Sequence, residues 1–460
     1  MNPNPESAAH DRAWTDRVAA SWDHFWFHPA DPIVLGLLRI CCGLVALYVH
    51  LNYTRHLQEY FGENAWIGLQ TINVVRTETP VLANPWGWDE PSLAALPDDR
   101  QAQKQILDYY NKYGVDPRQT VAMGHSAWSI WFHLTDPWWM EVVHLAVLVI
   151  LGLFTLGICT RITAALAWLA AVSYIQRSPA VTYGMDTLMI ATLFYLMIGP
   201  SGAALSLDRL LARYRARRRA RALGRPLLAQ AAPPLASANF TLRLVQIHLC
   251  IIYLFSGLSK MQGGMWWNGT AAWVAMANAE IAPLQYRFVV DALRYLTQHR
   301  LLWEIVMTGG TLTTLVIEIG FPFLIWNRSM RWPMLAGALF LHMSIGLCMG
   351  LLTFAAAILT MAIAFIPPEA VHGTLRKLRQ SLPFARRAAD PAAGAEKAAT
   401  NLEPQTHEAK VAIALAEEKH TDSMTNGQIP PHVPAAPGGG RILPEETRPR
   451  AIIKNGNERI

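Results

Sequence analysis

Six long apolar stretches run along the chain, near residues 33 to 53, 142 to 160, 187 to 207, 240 to 259, 303 to 326 and 332 to 366. At ~1.5 Å rise per residue each of the first five is long enough to cross a ~30 Å hydrocarbon layer. The last carries no charged residue over 35 positions, enough for a tight hairpin of two helices. Residues 162 to 176 form a shorter candidate, so the pattern predicts an all-α integral membrane protein with about eight transmembrane helices. No repeat of fixed period is present.

The polar segments between these runs set an expected orientation. The stretch from Arg209 to Arg225 holds eight arginines and marks a cytoplasmic loop at about 208 to 239. Counting crossings outward from it puts Arg161, the turn from Asn327 to Arg331 and the basic stretch Arg376 to Arg387 on the same side, and all are basic. The segment of about 53 to 138 is then external. It holds an excess of acidic residues and is rich in Trp, Tyr and Pro, with a helix expected around Gln101 to Tyr113. The expected organisation is a cytoplasmic segment 1–32, a transmembrane domain 33–367 and a cytoplasmic tail 368–460. Beyond about Ala388 the tail is rich in Ala, Pro, Glu and Gly and poor in aromatics, a composition expected to be disordered. Both termini are expected in the cytoplasm, with the chain in a bacterial inner (plasma) membrane.

Composition agrees with this picture. Charged residues are 16% of the chain and apolar ones 52%, where soluble proteins carry about a quarter charged. Many of the 17 tryptophans sit beside apolar runs, where an amphipathic ring suits the bilayer interface. The net charge of +6 reads as orientation rather than as a nucleic-acid surface, because the arginines flank apolar runs. The five cysteines lie inside apolar runs without CxxC or Cys/His spacing, which excludes a zinc motif, and no Walker loop or GxSxG elbow occurs.

Ionisable groups inside spans are costly, roughly 2.5 to 3.5 kcal/mol each on insertion scales, so each needs a partner, a wet cavity or a task. Arg39 sits about two turns into the first span and Glu318 at similar depth in the sixth, which predicts a structural ion pair between them, with a gating role as the other reading. Lys260 ends the fifth span, ahead of Met261-Gln262-Gly263-Gly264-Met265-Trp266-Trp267-Asn268-Gly269. It reads either as a lysine snorkelling above an aromatic belt or as a working amine roofed by Trp266 and Trp267. His342 lies at depth in an uncharged run, either as a packing residue or as a proton-handling partner of Lys260. Asp186, on the same external side, could balance the lysine charge. No two histidines have helical metal-ligand spacing, so no metal is expected.

The phrases IYLFSGLSKMQGGMWWNG (Ile252 to Gly269), FLHMSIGLCMGLLTF (Phe340 to Phe354), DPIVLGLLRICCG (Asp31 to Gly43) and SPAVTYGMDTL (Ser178 to Leu188) resemble the horizontally transferred transmembrane domain. That domain is similar to the membrane part of the vitamin K-dependent gamma-carboxylases, and the resemblance covers roughly residues 20 to 368. It implies that Lys260, after Ser256-Gly257, stands where the carboxylases place the base that starts oxygenation of the reduced vitamin. It implies likewise that His342 matches their histidine in the Phe-His-x-Met stretch. Pro179 or Ala180 stands where the carboxylases carry another histidine, a departure that bears on full carboxylation.

These readings predict an outward-facing site in which Lys260 and His342 act on a lipophilic, quinone-like substrate, with Asp186, Trp266, Trp267 and Asn268 in its walls. A reduced quinone of the vitamin K type is the cofactor implied. The rivals are a carrier for a lipid or small organic anion with Lys260 as anchor, and a membrane anchor without chemistry. The lipid bilayer and a lipophilic small molecule are the expected partners.

Overall fold

The computed structural model describes residues 5–78, 80–82, 97–114, 116–122, 127–179, 181–224, 232–278, 283 and 286–381. It divides into a unit Met1–Arg376 and a unit Lys377–Ile460. Of the second unit only residues 377–381 are described, so the expectation for the tail beyond Ala388 lies outside the described residues, as does the middle of the segment 53–138.

The described chain is helical apart from a short ribbon, β1 (Pro80–Leu82) antiparallel to β2 (Thr120–Ala122). Before the ribbon come α1 (Pro5–Phe27), α2 (Ile33–Tyr53), α3 (Leu57–Phe61) and α4 (Leu69–Glu78). Between its strands lies α5 (Arg100–Tyr113), the helix expected around Gln101 to Tyr113. Its start follows from Asp99, whose carboxylate accepts from the backbone N–H groups of Gln101 and Ala102. Its stop follows from Gly114 in the left-handed conformation at φ 74°.

The apolar runs become α6 (Pro137–Leu156), α7 (Thr160–Arg177), α8 (Gly184–Ile198), α10 (Ala236–Met261), α14 (Arg300–Leu324), α15 (Arg331–Cys348) and α16 (Leu352–Ala362). The arginine-rich loop contains α9 (Leu207–Ala222), and short helices α11 (Gly264–Trp267), α12 (Ala271–Met276) and α13 (Arg287–Gln298) lead into α14. Helix α17 (Pro368–Ser381) closes the described chain.

Four of these segments are long and apolar enough to cross a membrane: Ile33–Phe61, Pro137–Leu156, Ala236–Met261 and Arg300–Leu324. A fifth is reached if Leu352–Phe365 and Pro368–Ser381, bent by 108° to one another, count as one span. The eight crossings expected are therefore more than length and composition alone support. The run 187 to 207 illustrates the reason. Helix α8 stops at Ile198 because Gly199 and Pro200 turn the chain, leaving 15 helical residues, or about 22 Å. The run 332 to 366 does form a two-helix hairpin, α15 and α16, turning at Met349–Leu351.

The loops sort by end of the bundle. Ala30 pairs with Leu235 through reciprocal backbone hydrogen bonds, so α2 and α10 start together. The turn between α6 and α7 meets the start of α9 at that same end, through Asp208 N–H to the Gly157 carbonyl at 3.0 Å. At the other end Ser129 bonds the Ser173 carbonyl near the finish of α7 at 2.6 Å, and Tyr183 bonds Thr353 at the start of α16.

Helices in lipid gain no hydrophobic drive for mutual packing, so small residues that admit close approach matter more. A Cβ on Gly43 would fall 2.3 Å from Thr155 Oγ1, which marks where α2 and α6 cross. Leu35, Leu38, Cys42, Leu151, Phe154 and Leu193 are fully buried around this crossing.

Candidate functional site

Lys260 occupies the last turn of α10, and its ammonium group is held by side chains alone. Nζ donates to Ser256 Oγ, one turn earlier, at 2.6 Å, and lies 2.9 and 2.8 Å from the two carboxylate oxygens of Glu318 on α14. The lysine side chain is 26% exposed and the glutamate 6%, so the pair is open at the lysine and closed at the carboxylate. Gly257 makes the approach possible: a Cβ there would meet Ile319 Cγ1 at 2.8 Å and Glu318 Cβ at 3.3 Å. The Trp266 ring centroid lies 5.5 Å from Nζ, within cation–π range.

A second pair adjoins this one. His342 Nε2 is 2.8 Å from the Tyr253 hydroxyl, whose ring stacks on Phe321 at 4.3 Å between centroids. His342 is 4% exposed, and its Nδ1 is buried with no hydrogen-bond partner. Phe321 stands three residues after Glu318 on α14, so the Tyr253–His342 pair lies beside the Lys260–Glu318 pair. The structure therefore gathers Ser256, Lys260, Glu318, Tyr253 and His342 between α10, α14 and α15. Helix α14 begins at Arg300, 18 residues before Glu318, and so runs about 27 Å beyond the level of the pair. Helix α12 accompanies it there, with the Trp273 and Trp303 rings 4.4 Å apart.

Arg39 and Glu318 do not pair, contrary to expectation. The Arg39 guanidinium, 0% exposed, donates to the backbone carbonyls of Ser201, Ala204 and Leu205 in the turn after α8. These carbonyls, in the irregular turn beyond α8, suit a planar donor fork better than a distant carboxylate does. The stagger of α14 against α10 carries Glu318 to the level of Lys260 instead. Asp186 is not a counter-charge to the lysine either. Its Oδ2 accepts from the Tyr183 N–H at 2.9 Å, capping its own helix. It lines a separate cavity of about 20 Å³ with His50, Tyr53 and Tyr174, room for roughly one water.

The aromatic turn is likewise divided. Trp266 faces the lysine, but Trp267 is 69% exposed and ties the turn by donating from Nε1 to the Met261 carbonyl at 2.6 Å, so it is no roof. Asn268 Oδ1 accepts from the Thr270 N–H and hydroxyl, a turn-forming role.

Two members of the cluster were not singled out in the sequence. Ser256 carries a signal, since i and i+4 share a helix face. Tyr253, seven residues before Lys260, shares that face too but reads as an ordinary core aromatic. Arg177, also fully buried, donates to the carbonyls of Gly62 and Ile67 and belongs with Arg39 as a backbone-held cation. Among the described residues no group of three or more His, Cys, Asp or Glu side chains could hold a metal ion. Comparison with known proteins gave no match to any protein family, to any curated protein or to any solved structure.

Proposed function

We propose that this multi-pass helical chain is a membrane enzyme in which Lys260 removes a proton from a lipophilic, quinone-like substrate. The observation that carries the reading is the Lys260–Glu318 pair, a partly exposed amine on a closed carboxylate with His342 and Tyr253 beside it. In a site of low dielectric, the ion pair and the neutral amine–acid pair differ by the position of one proton between Nζ and a carboxylate oxygen. Glu318 takes that proton and leaves Lys260 neutral, able to accept the substrate's proton at Nζ. Trp266 covers one side of the amine, and the His342 imidazole, bonded to Tyr253 through Nε2, stands buried beside the pair. A reduced quinone of the vitamin K type, with an apolar body and an acidic hydroxyl, would present that hydroxyl to Lys260 and would supply the chemistry that oxygen completes. The resemblance of Ile252 to Gly269 and Phe340 to Phe354 to the carboxylase-related membrane domain points the same way.

The carrier reading needs Lys260 as an anchor for an anion, and Glu318 already supplies that negative charge. The anchor reading gives the buried cluster no task, although each of its charges is costly to hold in a membrane.

The test is consumption of a reduced naphthoquinone and oxygen by the purified protein in nanodiscs. Turnover by the native protein is expected, with Lys260→Arg as inactive as Lys260→Ala, because arginine keeps the charge but cannot act as a base. Absence of turnover by the native protein, or turnover that survives Lys260→Arg, contradicts the reading.

A further inference from the structure

Helix α9 has a feature that orientation alone does not require. Leu207, Leu210, Leu211 and Tyr214, spaced i, i+3, i+4 and i+7, form one apolar stripe, and they are 41, 57, 47 and 59% exposed. No residue of the helix is buried, so the described chain leaves this stripe uncovered. The same face continues at the next helical spacings as Arg217, Arg218 and Arg221, all exposed, with the Arg218 guanidinium 6.0 Å from the Tyr214 ring centroid. Seven arginines stand against a single acid, Asp208, within the helix.

That acid is committed to fixing the root of the helix. Asp208 Oδ1 accepts from the Cys159 N–H at 2.9 Å, and Oδ2 accepts from the Thr160 N–H and hydroxyl at 2.8 and 2.7 Å. Burial pushes the Asp208 carboxyl up, but these hydrogen bonds and the nearby Arg39 charge outweigh it and hold the group below its ordinary value. Ser206 caps the helix at the Arg209 N–H, and Ile158 joins the leucines and Tyr214 in an open apolar groove at the α6–α7 turn. The stripe therefore starts at the end of the span Pro137–Leu156, where hydrocarbon gives way to headgroups.

We infer that α9 lies in the interface of an anionic phospholipid leaflet. Its leucine stripe sits at the acyl boundary, and Arg217, Arg218 and Arg221 contact lipid phosphates. The occupant follows from charge and position together. A basic surface without the stripe would serve any polyanion, and a stripe without the arginines would not discriminate between lipids. The inference needs only that the chain sits in a membrane, so it stands or falls apart from the chemistry of Lys260.

The test uses the full chain with Leu211→Cys spin-labelled in a Cys159→Ser background, in nanodiscs of phosphatidylcholine with or without phosphatidylglycerol. Collision with oxygen against a water-soluble nickel chelate reports the depth of the label. The expected result is a shift toward oxygen when phosphatidylglycerol is present, lost in the Arg217→Glu, Arg218→Glu, Arg221→Glu variant. Those three side chains are exposed, so an unchanged near-ultraviolet circular dichroism spectrum checks that the variant stays folded. A label equally deep in both lipids, a label in water in both, or protection that appears only when RNA is added overturns the inference.

Discussion

Among the described residues, Arg39 and Arg177 on one side and Lys260 on the other are cations within the helical bundle that are held in opposite ways. Arg39 and Arg177 are fully buried, and the hydrogen bonds from their guanidinium groups end on backbone carbonyls, those of Ser201, Ala204 and Leu205 for one and of Gly62 and Ile67 for the other. Lys260 is partly exposed and held by Ser256 and Glu318 side chains. A carbonyl cannot take the proton of its partner, so the arginine sites have one protonation state and serve as fasteners. A carboxylate can take it, which is what the proposed base role of Lys260 requires. Under the proposed function, the difference separates holding the fold from handling a proton, although both use a cation inside an apolar bundle.

Breaking the fastener is expected to have the largest effect. Arg39→Leu leaves three carbonyls without their donor near the junction of α2, α8 and α9, at about 1 to 3 kcal/mol for each group left unsatisfied. The expected outcome is loss of folded protein, measured as a large fall in Tm in detergent. Arg39→Lys should rescue it poorly, because an ammonium group lacks the planar fork. A Tm near that of the native chain would remove the contrast between the two sites.

A smaller effect sharpens the other side of the contrast. Tyr253→Phe removes the hydrogen bond between Tyr253 and His342 Nε2 while keeping the ring on Phe321. A cost of about 1 kcal/mol is expected in the same unfolding assay. A much larger loss would make the tyrosine a fastener like Arg39 rather than a member of the group proposed to handle a proton.

The contrast also explains what could be read from the sequence. Apolar runs located the helices because lipid demands long uninterrupted apolar surface, and a helix was expected around Gln101 to Tyr113, which Asp99 and Gly114 bound in the structure. The run 187 to 207 was read too long because Pro200 lies inside it and its turn is also apolar. Lys260 and His342 stood out as rare polar groups at depth, and the structure brings them near each other. The partner of Arg39 was illegible for a physical reason: its ligands are carbonyls, which every residue carries. Glu318 was then assigned by counting from the ends of helices, and the stagger of α14 past α10 is set by packing at Gly257, which hydropathy does not register. Asp186 was read as a counter-charge for Lys260, whereas one of its oxygens accepts from a local backbone N–H.

The account rests on Glu318 belonging to Lys260 and not to Arg39, and a pair of double-mutant cycles in nanodiscs measures that directly. Lys260→Met or Glu318→Leu alone leaves one charge unpaired, at a cost of about 3 to 5 kcal/mol, reduced by the partial exposure of the lysine. The double variant should cost clearly less than the sum of the two. The Arg39→Leu and Glu318→Leu cycle should instead add to within about 0.5 kcal/mol, as for sites without shared partners. Additive costs at Lys260 and Glu318, with coupling between Arg39 and Glu318, would contradict the account.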